Sequence, residues 1–320
     1  MAVPSASRPR TSFVIATRDR ADELCTVLER LLDTTGCPIV VVDNASHDCS
    51  VAAAGRFAAR SGGRLTVIPL TRNQGAVARN IGVAHCKTPF VGFCDDDSWW
   101  APEAVGFAEV LFDGYPTVAV LAGRTVVWPQ HRDDPLVDEL ANSPLGRHTA
   151  LPGPSILGFQ ACSALVRRAA FQAVGGFSPI LHFRGEEALL AWDLAAQGWD
   201  LCFSRALVAY HQPSATRKSN RVQHARVLRN EMLTACLRRP VDRCIRASAE
   251  LAWAAAHDTA HAAALFEALS ALPKALRQRR RLPEPVESSL RLLETVSSNV
   301  IQSQPERLPV TKRRAGTTLS

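Results

Sequence analysis

The stretch Phe90-Val-Gly-Phe-Cys-Asp-Asp-Asp-Ser-Trp-Trp100 decides the fold. Its first five residues form a short, continuous apolar run, the pattern of a strand covered on both faces. Three carboxylates follow at once. Two unit charges about 4 Å apart cost roughly 1 kcal/mol in water and about 4 kcal/mol at an effective dielectric near 20, so stacking them at a strand's end stabilises nothing by itself. A bound cation removes the conflict, and hard ions such as Mg²⁺ or Mn²⁺ are held by one or two carboxylates plus substrate phosphates. The bland alternative is a solvated acidic turn. The strand in front favours a site, because ligands of open α/β sheets bind beyond the carboxyl ends of the strands.

Toward the N-terminus, strand and helix signals alternate. Residues 12–16 read as a buried strand, after which Leu24, Val27, Leu28, Leu31 and Leu32 recur at helical spacing. Strands are expected at 38–42 and 65–69, with helices at 51–60 and 76–84. This rhythm predicts an α/β fold with a mostly parallel sheet and helices on both faces, its strand C-termini gathered on one rim. Toward the C-terminus, Pro102 opens a helix and 118–122 reads as a strand. Residues 128–158, rich in Pro, Gly, Asp and His, read as a long irregular stretch. A strand is expected at 158–166, a helix at 186–197 ending at Gly198, and a last strand at 201–210 leading into His211. Ala-rich helices then run from about 214 to 272, followed by a basic segment at 274–281 and a helix at 285–297. The expected organisation is a flexible N-terminus (1–11), one α/β domain (12–213), a helical C-terminal extension (214–300) and a disordered tail (301–320).

Composition agrees with one large domain plus an appendix: 320 residues, 47% of them hydrophobic. The nine cysteines are odd in number and form no C-x-x-C pair, which argues against a disulfide framework and a zinc ribbon and for a reducing compartment. The first ten residues lack the apolar core of a signal peptide, and no stretch reaches the ~20 uncharged apolar residues of a membrane span. A cytoplasmic protein is expected. Net charge is +7, yet residues 213–320 hold 19 Lys/Arg against 9 Asp/Glu. This basic third suits peripheral contact with an anionic membrane; no aromatic interleaving or motif supports nucleic acid.

Around the acidic triplet, other rim positions carry chemistry. Asp43 ends the strand at 38–42, where a carboxylate can accept the ring N–H of a pyrimidine; the alternative is that Asn44 or Ser46 caps the next helix. Thr17-Arg18-Asp19-Arg20 closes the first strand, and a basic pair there suits a diphosphate. Asn73-Gln-Gly-Ala76 precedes a helix with Arg79 and Asn80, and Gly75 lets backbone approach a ligand. Neither a P-loop nor G-x-G-x-x-G is present. Glu186 and Glu187 favour the positive end of the helix that they open, and either can serve as a general base within about 3 Å of a hydroxyl.

The order of these elements resembles the family 2 inverting glycosyltransferases of the GT-A fold. The likeness is carried by Val14-Ile-Ala-Thr-Arg-Asp-Arg20, Val41-Val-Asp-Asn-Ala-Ser46, Asn73-Gln-Gly-Ala-Val-Ala-Arg-Asn-Ile-Gly82, Phe93-Cys-Asp-Asp-Asp-Ser-Trp-Trp100, Val174-Gly-Gly-Phe177 with Gly185-Glu-Glu187, and Tyr210-His211. The resemblance implies a nucleotide-sugar donor, UDP- or dTDP-linked by preference, with Asp43 on the base and Thr17, Arg18 and Arg79 around base and phosphates. It further implies Asp95 and Asp96 on ribose and sugar, Asp97 and His211 as ligands of a divalent cation (Mg²⁺ or Mn²⁺), and Glu187 as base where the family has Asp, with Glu186 in contention. The acceptor, whether glycan, lipid-linked glycan or small molecule, is expected against 128–158 with Trp128, His131 and Arg147, and against Trp192. Alternatives are a nucleotidyltransferase of similar layout and a non-catalytic scaffold that binds sugar nucleotides.

Overall fold

The computed structural model describes residues 9–213 and 220–303. Four strands, β1 (Thr11–Thr17), β2 (Ile39–Asp43), β3 (Leu65–Pro69) and β4 (Phe90–Cys94), run parallel in the order β3-β2-β1-β4. Their crossovers are α1 (Ala21–Thr34), α2 (Ser50–Arg60) and α3 (Val77–His85). The chain continues through β5 (Ser98–Trp100), α4 (Pro102–Gly114), β6 (Val118–Val127), β7 (Arg132–Asp133) and α5 (Pro135–Ala141). A 3-10 turn at Ala161–Ser163 leads into β8 (Ala164–Arg167), α6 (Arg168–Ala173), α7 (Glu186–Ala196) and β9 (Asp200–His211). One sheet results, ordered β3-β2-β1-β4-β8-β6-β9-β5, with β7 beside β6. The parallel order holds through β4. Beyond it the sheet is mixed, β8 running antiparallel to β4 and β6, β9 parallel to β6, and β5 antiparallel to β9.

Because strand side chains alternate between faces, the apolar runs feed two cores. Phe13, Ile15, Ile39, Val41 and Phe90 pack under α1, α2 and α4; Val14, Val40, Val42, Val91 and Phe93 pack under α3, α6 and α7. This double coverage explains why the strands read as continuous apolar runs. A third core joins α8 (Asn220–Arg238), α9 (Val241–Ala255) and α10 (Thr259–Arg277) to Ile180, Leu181 and Leu189. The C-terminal helices therefore share a core with the segment in front of α7. The last helix, α11 (Glu284–Ser303), packs against α7.

Several expectations are corrected. The stretch 128–158 contains β7 and also α5, which starts where Asp134 accepts the Leu136 N–H and Pro135 fits the first turn. The strand expected at 158–166 begins only at Ala164, because the 3-10 turn occupies the three residues before it. Helix α10 runs through Pro273 to Arg277, into the segment read as merely basic. At the N-terminus, Arg10 holds Asp113 at 2.6 Å and donates its backbone N–H to Glu109, so positions 10 and 11 are anchored. The rest of the expected flexible N-terminus (1–8), the boundary segment 214–219 and tail residues 304–320 lie outside the described residues.

Candidate active site

Parallel pairing sets the rim. Thr17 and Asp43 are register partners at the ends of β1 and β2, and Ile15 opposes Cys94, the last residue before the triplet. The Thr17 hydroxyl donates to Asp96 Oδ2 at 2.9 Å. Arg20 reaches Asp96 Oδ1 at 3.2 Å and Asp97 Oδ2 at 3.1 Å, while Arg79 donates to Asp95 at 2.5 Å. The protein thus offsets much of the triplet's repulsion with its own arginines, and a cation is not the only relief for it. Asp96 is buried with both oxygens engaged. Burial, with its two acidic neighbours, pushes its carboxyl up to about 7 against the opposing pull of Arg20 and Thr17.

His211 reaches the triplet through β5. Ser98 pairs with His211 across the β5–β9 ladder, and the Gln212 N–H donates to the Asp97 carbonyl at 2.8 Å. His211 Nε2 consequently lies 3.4 Å from Asp97 Oδ1. Trp99, Trp128 and Tyr210 pack together behind this contact, with the Arg30 guanidinium 4.0 Å from the Trp99 ring centroid. Burial alone would raise the Asp97 carboxyl; His211 and Arg20 outweigh it and hold it below the usual range. A carboxylate beside an imidazole is a donor set whose chemistry fits Mn²⁺ or Mg²⁺. Among the described residues no group of three or more His, Cys, Asp or Glu is arranged to hold an ion.

Across the cleft, Gly185 adopts φ +77° and turns the chain into α7, so that Glu186 and Glu187 fall in its first turn. Glu186 is 1% exposed and lies 3.7 Å from Arg79, with Oε2 lacking a hydrogen-bond partner. Glu187 is only half-buried, and the Ala161 N–H faces its carboxylate. Burial raises both carboxyls, and the negative charge of Glu187 adds to the effect on Glu186 while Arg79 opposes it. The Cys162 thiol, raised first by its burial, also feels Asp95, Asp97 and Glu187.

The loop leading to Gly185 is clamped from α8. Asn230, 2% exposed, donates to the carbonyls of Leu181, Phe183 and Arg184, and Arg229 donates to those of Ile180 and Leu181. The same loop closes on Gly75. A side chain there would collide with the His182 carbonyl, and the Ala76 N–H donates to that carbonyl at 2.6 Å. The close backbone approach expected at this glycine is made by His182.

The remaining predicted residues divide clearly. Asp43 is 2% exposed; Oδ2 accepts the Ser46 N–H, while Oδ1 has no partner. Neither Asn44 nor Ser46 caps α2, which begins at Ser50, and Asn44 instead bonds Gln74 and Gly75. Arg18 is turned out against Asp19 at 3.3 Å; Arg20 is the basic residue of that turn on the triplet. The turn reverses at Asp19, which has φ +54°, so strand alternation does not predict which arginine faces inward. Asn80 is spent on both backbone groups of Phe177, and Trp192 donates to the Leu157 carbonyl within the second core. His131 stacks edge-on against Trp128, and Arg147 donates to the Pro152 carbonyl. Sequence reading did not single out Asn230, for which helix α8 offered no local signal.

The chain is 30% identical over 213 residues to a pre-mycofactocin glycosyltransferase of Mycobacterium tuberculosis, a span covering 64% of this chain and 43% of that relative. It is 33% identical to the succinoglycan biosynthesis protein ExoU of Rhizobium meliloti over 96 residues, 29% of this chain and 28% of ExoU. The chain thus spans less than half the length of either relative. Among solved structures, mannosyltransferase PcManGT from Pyrobaculum calidifontis in complex with GDP-Man and Mn²⁺ superposes with a TM-score of 0.56 at 21% identity, over 93% of this chain and 89% of that one. S. aureus TarS 1-349 in complex with UDP-GlcNAc gives 0.58 at 16% identity, over 94% of each chain. Both likenesses establish a GT-A type of fold. The model of glycosyl transferase family 21 matches residues 155–287. Since the model of glycosyl transferase family 2 matches residues 12–175, just over half of the chain, the protein belongs to glycosyl transferase family 2.

Proposed function

We propose that this chain is a metal-dependent inverting glycosyltransferase, moving a sugar from a UDP- or dTDP-linked donor to an acceptor hydroxyl in one displacement. The observation that carries the reading is Asp43 Oδ1, a buried carboxylate oxygen without a partner at the rim. Such an atom is costly unless a ligand supplies a donor, and the ring N–H of uracil or thymine does so. Relatives in fold support the donor class, since PcManGT was solved with GDP-Man and TarS with UDP-GlcNAc.

Asp97 and His211 are the residues that would hold Mg²⁺ or Mn²⁺, which when bound stabilises the departing diphosphate. Asp95, the most open carboxylate of the triplet at 34% side-chain exposure, contacts ribose and sugar. Thr17, Arg20 and Asp96 brace one another beneath the donor, and Arg79 orients Asp95. Glu187 takes the proton from the acceptor hydroxyl as that oxygen attacks the anomeric carbon.

Calorimetry with MnCl₂ and a panel of nucleotide sugars tests the reading. UDP- and dTDP-sugars are expected to bind and CDP-sugars to bind at least about tenfold more weakly, because cytosine lacks the ring N–H and leaves Asp43 unpaired. Asp43→Ala should weaken UDP-sugar binding about 10- to 150-fold, the value of a hydrogen bond to a charged group. Absence of heat with every activated sugar would overturn the proposal.

A further inference from the structure

Helix α10 turns Leu265 and Leu272 partly onto the third core but keeps a second apolar face outside it. Its buried residues are the small Ala264, Ala268 and Ala275 together with His261, whereas Phe266, Leu269 and Leu276 are 73%, 51% and 52% exposed. Positions 266, 269, 273 and 276 recur at three and four residues, so these side chains and Pro273 share one outward stripe. Fully burying a side chain of that kind stabilises by about 1.5–3 kcal/mol, a gain that the helix forgoes in this chain. Scattered exposed apolar residues are ordinary, but a contiguous stripe marks an interaction surface.

Charge identifies the partner. Lys274 and Arg277 flank the stripe in the last turns of α10, and Arg280 and Arg281 follow it, all exposed. The exposed acid of the helix, Glu267, lies off the stripe against Arg229 of α8 at 3.4 Å. On α9 the exposed Val241 and Ile245 are interleaved with Asp242 and an Arg246–Glu250 pair, a mixed surface without the same bias. A second copy meeting this stripe brings no acid on the same face to pair with Lys274 and Arg277. A lipid surface bearing phosphatidylserine offers the opposite charge and an apolar layer.

We propose that the outward face of α10 docks on an anionic phospholipid bilayer, with Phe266, Leu269 and Leu276 entering the headgroup boundary and Lys274 and Arg277 meeting lipid phosphates. Among the described residues no helix is long and apolar enough to cross a membrane, and the contact is one of surface docking. It is independent of the glycosyl-transfer reading. Because α10 packs on α8, whose Asn230 clamps the loop before Glu186, the docked face lies one helix layer from the cleft.

Flotation of the full chain with vesicles tests this. The protein should float with vesicles of equal parts phosphatidylserine and phosphatidylcholine and at least about tenfold less with phosphatidylcholine alone. Phe266→Ser with Leu269→Ser, and separately Lys274→Glu with Arg277→Glu, should each reduce binding at least about tenfold. All four residues are exposed, and circular dichroism should show the wild-type fold for both variants. No flotation, or flotation that neither variant reduces, overturns the proposal. So does a dimer that the Phe266→Ser/Leu269→Ser variant dissociates in a protein that ignores vesicles.

Discussion

Arg79 and Glu186 form a buried pair across the cleft wall, 3.7 Å apart with side chains 5% and 2% exposed. Arg79 is simultaneously bonded to Asp95, so one guanidinium ties the end of β4 to the start of α7. This arrangement sorts the two glutamates. Glu186 is committed to the wall, whereas Glu187 is half-buried.

The two glutamates should accordingly separate in kinetics. Glu187→Gln is expected to lower transfer by roughly 10²–10⁴, the usual contribution of a general base, while metal-dependent donor binding stays within about twofold of wild type. Glu186→Gln should retain most of the transfer rate. Single-turnover assays beside donor calorimetry check this, and equal loss of transfer and binding in the Glu187 variant would show that its role is structural.

His211 is expected to govern the metal requirement. His211→Ala should raise the Mn²⁺ concentration that half-saturates transfer by at least the roughly 10- to 100-fold that loss of even a ligand's supporting partner brings. Binding of free nucleoside in the absence of metal should be unchanged, because Asp43 belongs to β2 and stands apart from the β5–β9 ladder. An unaltered Mn²⁺ titration would remove the ion from this pair.

The parallel half of the fold was legible because β1, β2 and β4 are buried on both faces and read as uninterrupted apolar runs. The positions of Asp43 and the triplet at the rim followed directly, since each stands at the end of such a run. What escaped was set by distant contacts. The three residues of β5 look like the tail of the acidic motif, and only pairing with β9 gives them strand geometry and brings His211 to Asp97. The choice of Arg20 over Arg18 depends on a left-handed residue between them. Asn230 sits on a helix that reads as an appendix, and its partners are carbonyls, which carry no side-chain signature.

Asn230 is expected to act as a positioning residue. Asn230→Ala removes the amide donor from the Phe183 and Arg184 carbonyls and leaves that of Leu181 to Arg229 alone, a loss of about 0.5–1.5 kcal/mol for each hydrogen bond. Transfer should fall at saturating donor with donor affinity little changed, and amide hydrogen exchange should accelerate at residues 178–187 more than in β1 or β2. Uniform acceleration across the sheet would mean that the residue stabilises the whole fold and has no local part in seating Glu187.

The pH dependence of stability should carry the mark of Glu186. Its folded-state carboxyl lies above the ordinary value of 4.5, chiefly through burial, with the charge of Glu187 adding to it. As pH rises past 4.5, the unfolded chain releases this proton first, and the folded state binds the greater number of protons. The slope of unfolding free energy with pH is then negative: this contribution is complete below the unfolded value and is lost as pH climbs through the raised folded one. Glu186→Gln keeps a neutral side chain at every pH and should flatten that part of the profile, gaining on wild type as pH increases. Urea titrations of the metal-free protein at successive pH values from 4.5 upward measure it. Parallel profiles for the two proteins would mean that Arg79 already holds Glu186 ionised in the folded state.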